Sequence, residues 1–100
     1  MALTPEAKVK RDVKRLLDKY KVWHFSPSMN GFGRAGVPDI ICCVKGKFLA
    51  IECKAGSNGC TALQERELDA IVLHGGIAYV IREKDLDSLE AKLQWLTTAK

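Results

Sequence analysis

Apolar residues recur at Val9, Val13, Leu16, Leu17 and Tyr20, the spacing of one helix face, and basic residues fill most of the positions between them. Thr4-Pro5 just ahead supplies an N-cap and a proline at the first helical position. The pattern then changes. Residues 22–25 read as a short strand, and residues 26–36 form a glycine-rich loop. Residues 37–44 and 47–54 are two β-rich runs joined by Lys45-Gly46, which predicts an antiparallel hairpin. A helical pattern returns over residues 61–74 and is closed by Gly75-Gly76. Residues 77–81 form an apolar strand. Asp85 then opens a last helix through Leu86, Leu89, Leu93 and Leu96. The predicted order is α-β-β-β-α-β-α. The strand–helix–strand unit from Phe48 to Ile81 should make a right-handed parallel crossover. The expected fold is α/β, a small mixed sheet flanked by helices on both faces.

The hairpin carries the candidate chemistry. With Lys45 and Gly46 as a two-residue turn, Val44 faces Lys47, Cys43 faces Phe48, Ile41 faces Ala50 and Asp39 faces Glu52. Directly opposed residues share a sheet face, with Cβ atoms roughly 4.5–5.5 Å apart. Lys54 lies two residues beyond Glu52 and projects to the same face. Like charges set opposite each other destabilise a sheet, so the pair needs a reason. A divalent cation such as Mg²⁺, which prefers carboxylate oxygens, is one. A shared proton is another, and a solvated hairpin end is the third.

Two polar residues stand at the heads of apolar stripes. Glu6 precedes Val9 and Val13; Gln64 precedes Leu68 and Ile71. Both are expected to point toward the sheet and to border the carboxylates. Glu6 could ligate a metal or its water, or merely suit the helix dipole. Gln64 could orient a water, a phosphate or Lys54, or complete a capping box with Thr61.

At 100 residues the chain fits a single domain spanning residues 1–100. No stretch is long enough to cross a membrane and no signal-peptide pattern opens it, so a cytoplasmic setting is expected. The four cysteines lack zinc-site spacing and read as reduced, small hydrophobes. Residues 1–54 hold 11 basic and 5 acidic side chains, a balance of +6; residues 55–100 hold 5 and 7, a balance of −2. The basic half also holds the acid pair, which suits a polyanion lying across it. Asn30 and Arg34 on the loop, Lys8 and Arg11 on the first helix, and Lys45 and Lys47 at the hairpin turn are the candidate phosphate contacts. Phe32 could stack on a base. Residues 31–36 satisfy G-x-G-x-x-G, but an apolar strand follows instead of a helix, so no nucleotide cofactor is expected.

Taken together, Glu6 with Val9 and Val13, Gly36-Val37-Pro38-Asp39, Glu52-Cys53-Lys54, Gln64 and Gly75-Gly76 resemble the PD-(D/E)xK nuclease superfamily. Within it the chain looks most like the stand-alone virus-type replication-repair nucleases, VRR-NUC, of phage or bacterial type. The resemblance covers nearly the whole chain. It implies a restriction-endonuclease-like core and a metal-dependent DNA endonuclease that leaves a 5′-phosphate. Asp39 and Glu52 would match the metal-binding acids, the Cys53 carbonyl would complete the shell, and Lys54 and Gln64 would be catalytic. Glu6 would be the candidate for a second or water-mediated metal contact. Cys53 departs from the more usual aliphatic residue. The cofactor implied is Mg²⁺, with Mn²⁺ as substitute. The resemblance also implies a homodimer that resolves branched DNA such as four-way junctions. The last helix with Trp95 and Leu96, or the glycine-rich loop, would supply the dimer surface. The alternatives are a monomeric flap or nicking nuclease and a non-catalytic basic DNA-binding module.

Overall fold

Thr4 Oγ1 accepts the Ala7 N–H at 3.1 Å and starts helix α1 (Pro5–Lys19). The computed structural model describes residues 2–27 and 34–98. Val9, Val13 and Leu17 are the buried stripe of α1. The helix stops where Lys21 takes a left-handed turn (φ 56°) and the Val22 N–H bonds the Leu17 carbonyl at 2.9 Å. That bond commits the Val22 amide, so strand β1 (Trp23–Phe25) begins one residue later than the pattern suggests.

The hairpin forms in the expected register. Strands β2 (Ile40–Val44) and β3 (Lys47–Cys53) pair antiparallel from Val44↔Lys47 to Ile40↔Ile51. Lys45 (φ 52°) and Gly46 (φ 79°) are both left-handed, as a type I′ turn demands. Gly46 takes that conformation without penalty; Lys45 bears its cost because the turn's twist matches the strands. Strand β4 (Ile77–Ile81) lies parallel to β3, and the sheet order is β1-β2-β3-β4.

Strand alternation sorts the two faces. Ile40, Cys42 and Val44 of β2, with Leu49, Ile51 and Cys53 of β3, point into one core. They meet Val9, Val13 and Leu17 there, with Leu89, Leu93 and Leu96 of helix α3 (Leu86–Thr98). Burying side chains of this size stabilises by about 1.5–3 kcal/mol each. Tyr20 and Lys19 both reach Glu90, which ties α1 to α3. The opposite face is covered along β3 and β4 by helix α2 (Ala62–Leu73), where Gly76 lets Ile71 and the Phe48 ring approach closely.

One element departs from expectation. A 3₁₀ turn (Glu83–Asp85) precedes α3, and Asp85 Oδ2 accepts the Arg82 N–H at 2.9 Å. Asp85 thus closes a turn of its own, and α3 starts at Leu86. Among the described residues, no helix is long and apolar enough to cross a membrane.

Candidate active site

Asp39 sits one residue before β2, where the regular ladder has ended. Its Oδ2 accepts the Cys53 N–H at 2.9 Å, the place a backbone carbonyl would take if the ladder continued. Backbone sterics fix this position. Gly36, at φ 83°, lies against the first turn of α2, and a Cβ there would fall 2.6 Å from the Leu63 carbonyl carbon. Only glycine fits so close an approach at that φ. Pro38 is buried next to it. The chain entering β2 is therefore clamped onto α2, and Asp39 follows directly.

Glu52 is opposite Asp39 and only 2% exposed. Its Oε2 lies 3.7 Å from Lys54 Nζ, and its Oε1 is buried with no hydrogen-bond partner. Burial above all, and then the negative charge of Asp39, push the Glu52 carboxyl up to about 7; the Lys54 ammonium pulls the other way. Lys54 is itself 7% exposed. Its backbone is anchored by its N–H to the Ile81 carbonyl at 3.0 Å. Just beyond it, Glu83 accepts the Gly56 N–H. The acid pair and Lys54 thus share one point on the α2 face, as the hairpin count expects.

The remaining candidates are placed unevenly. Glu6 on α1 lies near enough for its charge to add a small upward push on Glu52. Gln64 is engaged in a capping box: its Oε1 accepts the Thr61 N–H at 2.9 Å, and its own N–H reaches Thr61 Oγ1 at 3.2 Å. Among the described residues its side-chain NH₂ has no hydrogen-bond partner. The Cys53 thiol lies in the core and is pushed up to about 12 by burial and then by Asp39, so it stays a neutral thiol. Any contribution from Cys53 comes from its backbone. Among the described residues, no three His, Cys, Asp or Glu side chains gather into a group that could hold a metal ion.

Lys10 is the residue that sequence reasoning passed over. Its Nζ lies 3.6 Å from Asp39 Oδ1. Among many α1 lysines nothing marked it, except that it lies four residues after Glu6 and so shares its side of the helix.

The candidate phosphate contacts do not converge. Lys8 and Arg11 are exposed on α1, and Arg11 pairs with Asp12 at 3.2 Å. Arg34 pairs with Glu67 at 2.8 Å. Lys45 and Lys47 are at the far end of the hairpin, about 16–20 Å along the strands from Asp39 and Glu52. Lys47 lies over the Trp95 ring. Asn30 and Phe32 lie outside the described residues. Of the two α3 residues offered as a dimer surface, Trp95 is exposed, but Leu96 is buried in the core and unavailable to a partner.

A solved structure described as a "VRR_NUC domain" matches this chain with a TM-score of 0.74. The chain has the VRR_NUC fold. The match covers 87% of this chain and 95% of the other at 22% sequence identity. No family profile and no curated protein matches the sequence. The VRR_NUC match spans most of the fold, and the hairpin with Asp39 and Glu52 is central to that fold.

Proposed function

We propose that this chain is a metal-dependent endodeoxyribonuclease of the VRR-NUC type, hydrolysing phosphodiesters at the Asp39–Glu52–Lys54 cluster. The observation that carries this reading is Glu52 Oε1: a carboxylate oxygen, buried and unpartnered, beside a second carboxylate. A buried carboxylate oxygen without a donor is costly, and a bound cation removes that cost. The likeness in fold to a structure described as a VRR_NUC domain supports the same reading.

Asp39 and Glu52 would hold a divalent cation with the Cys53 carbonyl. In an extended strand a residue's N–H and C=O point to the same side. The Cys53 N–H points to Asp39, while the Lys54 N–H points to β4, so the Cys53 carbonyl faces Asp39. A Mg²⁺ ion, or Mn²⁺ in its place, would supply positive charge for a phosphoryl oxygen and lower the pKa of bound water. Lys54, held almost dry, would place its ammonium beside charge developing on the phosphate. Lys10 would hold Asp39 in position. Gln64 would donate its free NH₂ to a water or phosphate oxygen, and Glu6 would reach the cluster through water. The cut would leave a 5′-phosphate.

Branched DNA is the preferred substrate in this reading, and two copies of the chain would make the paired cuts that a four-way junction needs. The family resemblance supports this finer statement. The test is incubation with matched duplex, flap and four-way DNA under Mg²⁺ or Mn²⁺, with mass from a sizing column. Cleavage that requires the cation and vanishes in Asp39→Ala, while DNA binding persists, supports the reading. DNA binding with no cleavage under either cation refutes it and leaves a binding module.

A further inference from the structure

We propose that the open half of the α2 face is a stacking track for unpaired bases, leading a single-stranded stretch of nucleic acid to the acid pair. The proposal rests on the nuclease reading above and adds an unpaired stretch to the branched substrate which that reading prefers.

The register builds the track. Trp23, Cys43 and Phe48 stand opposite one another across β1, β2 and β3, and opposed residues share a face. Phe25, Ile41 and Ala50 form the next row. Asp39 and Glu52 continue the series at the end of the sheet. Successive rows lie about 7 Å apart, which puts Phe25 roughly 8 Å from Asp39 between backbones. Helix α2 covers the β3–β4 side of this face and, among the described residues, no element covers the β1–β2 side. Trp23 is 62% exposed, and Phe25 and Phe48 are each 46% exposed. The Trp23 and Phe25 rings are 5.5 Å apart at 64°, an edge-to-face pair in which the two rings are not stacked flat on each other.

Continuity and charge select the occupant. The rows of rings end at the proposed scissile position. Their far end is flanked by Lys21 and Lys45, both exposed and both set at reverse turns. Beside Phe48 runs a groove of about 670 Å³ that Arg66, His74 and the Arg34–Glu67 ion pair also line. Rings bordered by cations such as Lys21, Lys45 and Arg66 suit a nucleic acid strand: the cations meet phosphates and the rings meet bases. Bases inside a duplex already stack on their neighbours, so only an unpaired base presents its face to Trp23 or Phe25.

The test separates binding from cutting. The full chain is prepared as Trp95→Phe, so that Trp23 is the sole tryptophan. It is titrated in EDTA with a short oligothymidine strand or with a blunt duplex of equal length. The strand is expected to quench Trp23 emission. Trp23→Ala, in the parent chain, and Phe25→Ala should each weaken strand binding by roughly 5- to 150-fold. Binding of the blunt duplex should stay within about twofold. Trp23→Phe should recover most of the strand affinity. An absence of quenching, or equal losses for strand and duplex, would overturn the track. So would conversion of a dimer to a monomer by Trp23→Ala with strand affinity unchanged, which would make the patch a self-association surface. Cleavage in Mg²⁺ is read separately. If strand binding is insensitive to Trp23→Ala while cutting persists, the track falls and the nuclease reading stands. If Trp23→Ala weakens strand binding but no cation supports cutting, the nuclease reading falls instead, and with it the track's role in feeding a cut.

Discussion

The Asp39 carboxylate accepts the Cys53 N–H at 2.9 Å, so one of the two proposed metal-binding acids also serves as the last acceptor of the β2–β3 ladder. One oxygen of Asp39 is structural. The other lies 3.6 Å from Lys10 Nζ.

This dual role predicts a split between stability and activity. Asp39→Ala leaves the buried Cys53 N–H without its acceptor, at a cost of about 1–3 kcal/mol. Asp39→Asn keeps an amide oxygen for that bond and should cost well under 1 kcal/mol. Both should lower cleavage by more than roughly 100-fold, because an amide binds Mg²⁺ poorly beside Glu52. Urea midpoints beside initial rates check both halves. Asn and Ala variants equal in stability would contradict the assignment of the bond.

Glu52 sets the pH dependence. Its carboxyl stands near 7 in the fold, above the ordinary 4.5 expected when unfolded. The native state therefore binds the proton more tightly. The resulting stability is full below about pH 4.5 and is lost as pH rises through about 7. The difference amounts to roughly 3 kcal/mol. Urea midpoints from pH 5 to 8 should fall over this window, and Glu52→Gln should flatten the fall. A divalent cation competes with that proton. Raising Mg²⁺ at pH 7 should therefore raise the melting temperature of the parent chain and leave Glu52→Gln unmoved. The pH midpoint of cleavage should also move down as Mg²⁺ increases.

The acid pair was legible in the sequence because a hairpin's register follows from its turn and the period-two alternation of its strands. Val44↔Lys47 fixes every other pair, and Glu52 and Lys54 fall on one face as a result. The VRR_NUC fold was legible for a similar reason, since helix and strand periods give the element order directly. Lys10 was not legible, because which of several α1 lysines meets Asp39 depends on how the helix is rotated over the sheet. Nor was the 3₁₀ turn before α3, since Asp85 suits either a helix start or the side-chain bond to Arg82 that it makes. The aromatic rows are not legible either: a strand pattern says that Trp23 and Phe25 share a face, but not that α2 stops short of covering it.

Gly36 should be intolerant of any side chain. Its φ of 83° and the 2.6 Å approach a Cβ would make to the Leu63 backbone combine strain with a backbone clash. Gly36→Ala should cost about 2 kcal/mol or more. It should also lower cleavage beyond the loss of folded protein, because the clamp that places Asp39 is pried from α2. Gly46→Ala serves as the comparison. Its Cβ would meet nothing within 4 Å, so it carries the left-handed strain without the clash and leaves the site alone. Equal effects on cleavage per folded molecule would count against the clamp.

Gln64 can be separated from its own cap. Gln64→Glu retains an oxygen for the Thr61 N–H and suits a helix N-terminus. The melting temperature should change by no more than about 2 °C. Cleavage should nonetheless drop by roughly 10-fold or more, since the NH₂ donor is replaced by an acceptor beside the phosphate. Full activity in Gln64→Glu would reduce Gln64 to a capping residue.

Anomalous diffraction from crystals grown with Mn²⁺ asks whether Asp39 and Glu52 together hold a cation. One strong peak per chain is expected between the two carboxylates, with Glu52 Oε1 and the Cys53 carbonyl on the ion and the peak gone in Asp39→Asn. No peak there, with Glu52 Oε1 bonded instead to a protein donor, would contradict it.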